Sequence, residues 1–141
     1  MSDIKNPSVF ALGEELSGVN ATHFLGKAYL SVLLNHECSI NNVTFEPGSR
    51  NDWHIHNVSD QIIVVTSGEG WYQEEGKPAR LLKAGDIVDI PMGVNHWHGA
   101  TSTSWFSHLA IKVLREGMST TWCGPVTEAQ YEEVEKGGNE R

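Results

Sequence analysis

Residues 48–68 read GSRNDWHIHNVSDQIIVVTSG, and residues 85–98 read GDIVDIPMGVNHWH. Each stretch carries two histidines one residue apart, His54 and His56 in the first, His96 and His98 in the second. Both pairs lie in strand-like runs, where side chains alternate between faces, so the two imidazoles of each pair share a face. Trp53 and Ile55 then point the opposite way. Glycine and proline bracket the runs. Five residues separate Gly48 from His54 and five separate Gly85 from Pro91, which is followed by Met92 and Gly93. These are turn residues, placed to set the strand ends at a barrel mouth.

Outward from this centre the chain continues as short strand-like runs. AYLSVLL (28–34) and NNVTF (41–45) precede it, with Glu46-Pro47-Gly48-Ser49 as a turn, and DWHIH (52–56) holds the first histidine pair. QIIVVT (61–66), GWYQE (70–74), ARLLKA (79–84), DIVDIP (86–91), HWHGAT (96–101) and WFSHLAIKV (105–113) follow, punctuated by Gly68, Gly76, Gly85, Gly93 and Gly99. Many short strands with turn signals between them predict an all-β fold, a small antiparallel barrel or sandwich. His108 falls on the last strand and shares a face with Phe106 and Ala110. Residues 1–26, broken by Asn6-Pro7, Gly13, Gly18 and Gly26, read as an N-terminal arm with one short helix or strand. Residues 27–115 form the barrel, and residues 116–141 a C-terminal segment. One helix is predicted there, at about 127–136. Thr127 and Gln130 form a capping box, Tyr131 and Val134 lie three apart on one face, and Gly137 stops it before a frayed GGNER tail. It packs over one end of the barrel or onto a partner.

A chain of 141 residues is long enough to bury a core without staples. Ten basic against eighteen acidic side chains leave a net charge of −8. Such a surface repels phosphate backbones and anionic headgroups, which argues against nucleic acid and membrane partners. No apolar run approaches a membrane span, and the N-terminus does not read as a signal peptide, so a cytoplasmic protein is expected. Cys38 and Cys123 form no C-x-x-C pair and are read as two buried thiols in a reducing compartment. Trp53, Trp71, Trp97 and Trp105 are read as packing residues, and His23 and His36 as ordinary surface or loop positions. The β-rich surface leaves sheet edges to be covered, and a homodimer or homotetramer is expected.

The spacing of the histidine stretches resembles the two motifs of the cupin family. The first, G-x5-H-x-H-x4-E-x6-G, is matched at Gly48, His54, His56 and Gly68, with Gln61 in place of the glutamate. The second, G-x5-P-x-G-x2-H-x3-N, is matched at Gly85, Pro91, Gly93 and His96, with Ala100 where the asparagine falls. The resemblance spans 48–100 and, with the flanking strands, about 28–113. It implies a jelly-roll or double-stranded β-helix barrel holding a divalent transition metal through His54, His56, His96 and the side-chain oxygen of Gln61. Manganese is the first choice. Iron, cobalt, nickel and zinc suit imidazole and oxygen as well. A neutral glutamine leaves the ion's charge unneutralised, so a bound hydroxyl would be more acidic than in a glutamate site. The competing reading is a metal-free cupin that has lost its site along with the glutamate.

Within the family, VTFEPGSRNDWHIH, GEGWYQ and HWHGATSTSWFSHLAI look like the small bacterial cupins that act as hydroxynitrile lyases. That likeness implies a small cyanohydrin-type substrate, aromatic if a tryptophan lines the pocket. It makes His108, twelve residues after His96, the catalytic base. The residues alone leave His108 open as a barrel-lining histidine hydrogen-bonded to a neighbour. His98 is read as backing the ligands or lining the pocket. Two other functions compete: an oxygen-dependent cupin dioxygenase, and a standalone ligand binder without turnover.

Overall fold

The computed structural model describes residues 8–139. The Asn6-Pro7 breaker and the last two residues of the tail lie outside them. Among the described residues twelve strands and one α-helix are present: β1 (Glu14–Glu15), β2 (Phe24–Leu25), β3 (Ala28–Asn35), β4 (Cys38–Phe45), β5 (Arg50–Asn51), β6 (His54–Asn57), β7 (Gln61–Glu74), β8 (Arg80–Lys83), β9 (Ile87–Ile90), β10 (His96–Ala100), β11 (Phe106–Val113), β12 (Ser119–Trp122) and α1 (Glu128–Asn139). All strand pairings are antiparallel, and the sheet curls into the expected β-barrel.

The long strand β7 organises it. Residues 62–68 pair with β11, and 61–64 with β9, in a first sheet that continues through β4 to β3 and β1. Residues 69–74 pair with β8 and β10 in a second sheet, which also holds β5, β2, β6 and β12. QIIVVT and GWYQE, which the pattern divides into two strands, are therefore one. Gly68 and Gly70 mark the corner where the chain passes between sheets. A Cβ on Gly68 (φ +74°) would collide with the carbonyl oxygen of Trp105, and one on Gly70 with the ring of Phe106. The glycines are there for close approach and not to reverse the chain.

The inward faces alternate as the pattern requires. Phe45, Ile63, Val65, Leu82, Ile90 and Phe106 fill the space between the sheets. A second cluster, Trp71 and Trp97 with Val126, Tyr131 and Val134, lies between the outer face of the second sheet and α1. The helix thus packs on the chain's own barrel. Its capping box is reciprocal: Gln130 N–H donates to Thr127 Oγ1 (3.1 Å) and Thr127 N–H to Gln130 Oε1 (2.9 Å). Buried Arg50 donates to the Val126 carbonyl and to Glu128, and its guanidinium lies 4.4 Å from the Tyr131 ring centroid. Gly137 does not stop the helix, which runs to Asn139; nothing at that position forces a left-handed residue. No helix among the described residues is long and apolar enough to cross a membrane.

The two thiols are not buried as expected. Cys38 is half-buried and Cys123 exposed, because one opens β4 at a hairpin end and the other follows the edge strand β12. β12 itself has no counterpart in the sequence pattern; STTW carries no alternation.

Val58, in the turn between β6 and β7, has φ +84°, a conformation that crowds a β-branched side chain. It is exposed, so little burial offsets the strain. Val58→Gly is expected to stabilise the fold by about 0.5–1 kcal/mol, the relief exceeding the added chain entropy. Urea unfolding checks this; an unchanged or lower midpoint would contradict it.

Candidate metal centre

His54 and His96 stand directly opposite each other across β6 and β10, and His56 follows two residues later on the same face. Register alone therefore brings three imidazoles together. Their rings are 4.2–5.1 Å apart between centroids, and one nitrogen from each lies within 4.8 Å of the others. All three are buried. The cluster is able to bind a metal ion.

The outer ring nitrogens show which inner ones are free. His54 Nδ1 lies 2.7 Å from the Asp52 carbonyl and His96 Nδ1 3.0 Å from that of Val94. A carbonyl only accepts, so each Nδ1 carries the proton and each Nε2 presents a lone pair. His56 departs from this pattern: its Nδ1 lies 3.0 Å from the Lys112 amine, so no carbonyl fixes its tautomer, and its Nε2 presents a lone pair only when Nδ1 carries the proton and the amine is neutral. Burial pushes the pKa of His54 and His56 down, to about 2 and about 3; the adjacent His96 imidazole adds to this for the first and the Lys112 amine for the second. Burial likewise lowers His96. Neutral imidazole is the ligating form.

Four buried polar atoms at this place have no hydrogen-bond partner: His56 Nε2, His96 Nε2, Gln61 Oε1 and His108 Nε2. Unsatisfied buried groups are costly and rare, and three of these four are the atoms expected to face an ion. Gln61 opens β7 and is buried. The donor set therefore fits a divalent transition ion of the imidazole-and-oxygen kind.

His108 approaches from the first sheet, fully buried, with its ring 4.9 Å from that of His98 and flanked by Phe45 and Phe106. Its Nδ1–H donates to the Leu109 carbonyl at 3.2 Å, which leaves Nε2 unprotonated. Burial lowers its pKa to about 4. His98 lies behind the cluster, held by Asn51, whose Oδ1 accepts from the His98 backbone N–H at 3.0 Å. His54, His56, Gln61, His98 and His108 line one internal cavity of about 430 Å³. The rest of its lining is largely apolar, with Leu16, Phe24, Leu30 and Val43, and Trp122 beside His54 at 4.9 Å between ring centroids. A larger hollow of about 710 Å³ lies outside the barrel beside α1, but no clustered histidine reaches it.

Sequence reading missed two residues here. Trp122 lines the cavity mouth, and His23, read as an ordinary surface position, stacks on it at 4.1 Å, nearly parallel. His23 also contacts Asp52, whose backbone holds His54. Both sit on short strands or turns joined to the site only by long-range pairing. Trp71 and Trp97 are packing residues, as read, and His36 is exposed.

The folded state resists protonation of His108, which fixes the sign of a pH effect. Between its folded value of about 4 and its ordinary 6.5, the unfolded chain binds the extra proton, so stability is complete above pH 6.5 and falls as pH drops. His108 alone should cost the metal-free protein about 2 kcal/mol by pH 5. Urea midpoints of chelator-treated protein from pH 7.5 to pH 5 measure this, and a flat profile would contradict it.

Fold and site together define a small antiparallel barrel with a three-histidine cluster, able to hold a metal, beside an open cavity that two of those histidines line. Residues 41–111 match the cupin domain family, and the chain belongs to it. It is similar to the (R)-mandelonitrile lyase of Granulicella tundricola, 44% identical over 89 residues that cover 63% of this chain and 67% of that one. It is also similar to a cupin-like protein from Thermotoga maritima of known structure. That protein is 37% identical, with a TM-score of 0.84 over 92% of this chain and 98% of the other.

Proposed function

We propose that this cupin is a metal-dependent lyase of hydroxynitrile type, splitting a small cyanohydrin into an aldehyde and hydrogen cyanide. The observation that carries this reading is His108 Nε2: buried, unprotonated, without a partner, and on a residue that lines the same cavity as His54, His56 and Gln61. The 44% identity to a mandelonitrile lyase supports it.

His54, His56, His96 and Gln61 Oε1 would hold the ion, with manganese our choice. A divalent ion there supplies Lewis acidity, lowering the pKa of a hydroxyl brought against it. His108 Nε2 accepts the hydroxyl proton. The bond between the carbinol carbon and the nitrile carbon then breaks, its electron pair leaves with cyanide, and the carbonyl forms. The imidazolium of His108 returns its proton to cyanide, which restores the starting state. The low pKa of His108 keeps it neutral and ready to accept at neutral pH, and it makes the imidazolium a willing donor. The apolar wall of Phe24, Leu30, Val43 and Trp122 seats the substrate's organic group, which favours an aryl or branched alkyl substituent.

No step consumes oxygen, which separates this reading from a dioxygenase. Benzaldehyde release from mandelonitrile should proceed at the same rate under nitrogen and under air at equal metal loading. A rate that collapses without oxygen, or oxygen uptake during turnover, would contradict the lyase.

A further inference from the structure

A departing cyanide carries a negative charge, and a site that releases it needs a hydrogen-bond donor where that charge develops. No carboxylate, ammonium or guanidinium group belongs to the described residues that line the cavity. The lining holds four side-chain amides instead: Asn20, Asn41, Asn51 and Gln61. Two are taken. Asn51 is bonded to the His98 ring and backbone, and Gln61 belongs to the histidine cluster. The side chains of Asn20 and Asn41 have no hydrogen-bond partner among the described residues. Asn20 lies on the short turn Gly18–Ala21 of the N-terminal arm, whereas Asn41 is fixed within β4. Its sequence neighbour shows the contrast. Asn42, on the other face of the strand, is fully buried and donates to the Ala11 carbonyl and to Thr44. Asn41 is half-buried, and its cross-strand neighbours, Val32 and Ala110, are both apolar.

We infer that the Asn41 amide donates a hydrogen bond to the nitrile nitrogen of the substrate and holds cyanide as it departs, an inference that rests on the lyase reading. Register carries the argument. Val43 stands opposite His108 and Asn41 opposite Ala110, so Asn41 is the diagonal neighbour of His108 on the cavity face of the first sheet. Diagonal neighbours lie about 7–8 Å apart, a gap that a small molecule bridges with a hydrogen bond at each end. The two corners between them, Val43 and Ala110, are small and apolar. Thr120 and Trp122, by contrast, stand on β12 against His56 and His54, on the side of the cluster. A cyanohydrin bears its hydroxyl and its nitrile on one carbon. With the hydroxyl at His108 and the nitrile nitrogen at Asn41, the bond that breaks lies between two held ends. Charge grows on the nitrile as that bond lengthens, so the Asn41 hydrogen bond strengthens towards the transition state and speeds the step. Hydrogen cyanide carries its proton on carbon, so a donor at nitrogen leaves the carbon free to take the proton back from His108. Asn41 keeps its own protons throughout.

Binding can be read apart from turnover in manganese-loaded His108→Ala protein. The probes are mandelonitrile and benzyl alcohol, which keeps the ring and the hydroxyl and lacks the nitrile. Adding Asn41→Ala, or the isosteric Asn41→Asp, should weaken calorimetric binding of mandelonitrile by about 5-fold, the weight of one neutral hydrogen bond, and change that of benzyl alcohol by less than about 2-fold. Far-ultraviolet circular dichroism should be unchanged. With His108 in place, Asn41→Asp should lower kcat for mandelonitrile by about 100-fold. Equal losses for the two ligands would make Asn41 a shaper of the cavity and overturn the inference. So would no loss for either, or mandelonitrile that does not bind. Mandelonitrile that binds but is not cleaved by the wild type would sink the lyase reading, and the paired titrations would still decide whether Asn41 holds the nitrile.

Discussion

His108→Ala is expected to slow mandelonitrile cleavage by about 10²–10⁴-fold while leaving bound metal unchanged. The size follows from what is lost. Nε2 of His108 is the unprotonated, unpartnered nitrogen on the first-sheet side of the cavity, and its Nδ1 is fixed as a donor by the Leu109 carbonyl. Alanine removes proton acceptance from the hydroxyl and proton return to cyanide together. His98 cannot substitute readily, because the Asn51 side chain occupies its ring nitrogen. Steady-state benzaldehyde release, read beside metal per chain, checks this. A loss under tenfold in a fully loaded variant would remove His108 from the base's role.

The second large effect is expected from His96→Ala. His96 is fully buried, faces His54 across the sheet, and is oriented by the Val94 carbonyl. Removing it leaves two imidazoles and one amide oxygen. Metal affinity should fall by more than the roughly 10–100-fold that loss of an outer hydrogen-bond partner costs, and cleavage should drop to the metal-free level. Isothermal titration with manganese and the cleavage assay together measure this. Wild-type affinity in the variant would mean that the cluster is not where the ion binds.

Much of the fold is encoded locally. Two H-x-H pairs at strand period, each bracketed by Gly and Pro turns, place the imidazoles on one face by alternation alone. The capping box at Thr127 and Gln130 likewise acts within four residues. Local pattern misjudges Ser67-Gly68-Glu69-Gly70. That run has the chemistry of a turn, yet it is a corner inside β7, because its glycines answer to Trp105 and Phe106, nearly forty residues away. β12 is invisible for a related reason. Its four residues gain strand form only by pairing with β6. The site divides the same way. The cluster of His54, His56 and His96 is legible in spacing, whereas the Trp122 wall and its His23 support arise from contacts between segments about a hundred residues apart. The roles proposed for Gln61 and His108 are chemical, and turnover is what tests them.

The most direct measurement is a manganese titration of metal-free protein with benzaldehyde release from mandelonitrile as the readout. A metal-dependent lyase predicts release that starts at background, rises in proportion to bound ion, and saturates at one ion per chain, with His108→Ala binding the same ion and staying near background. A protein that carries one ion per chain and releases no benzaldehyde, or one that releases it equally without metal, would contradict that function.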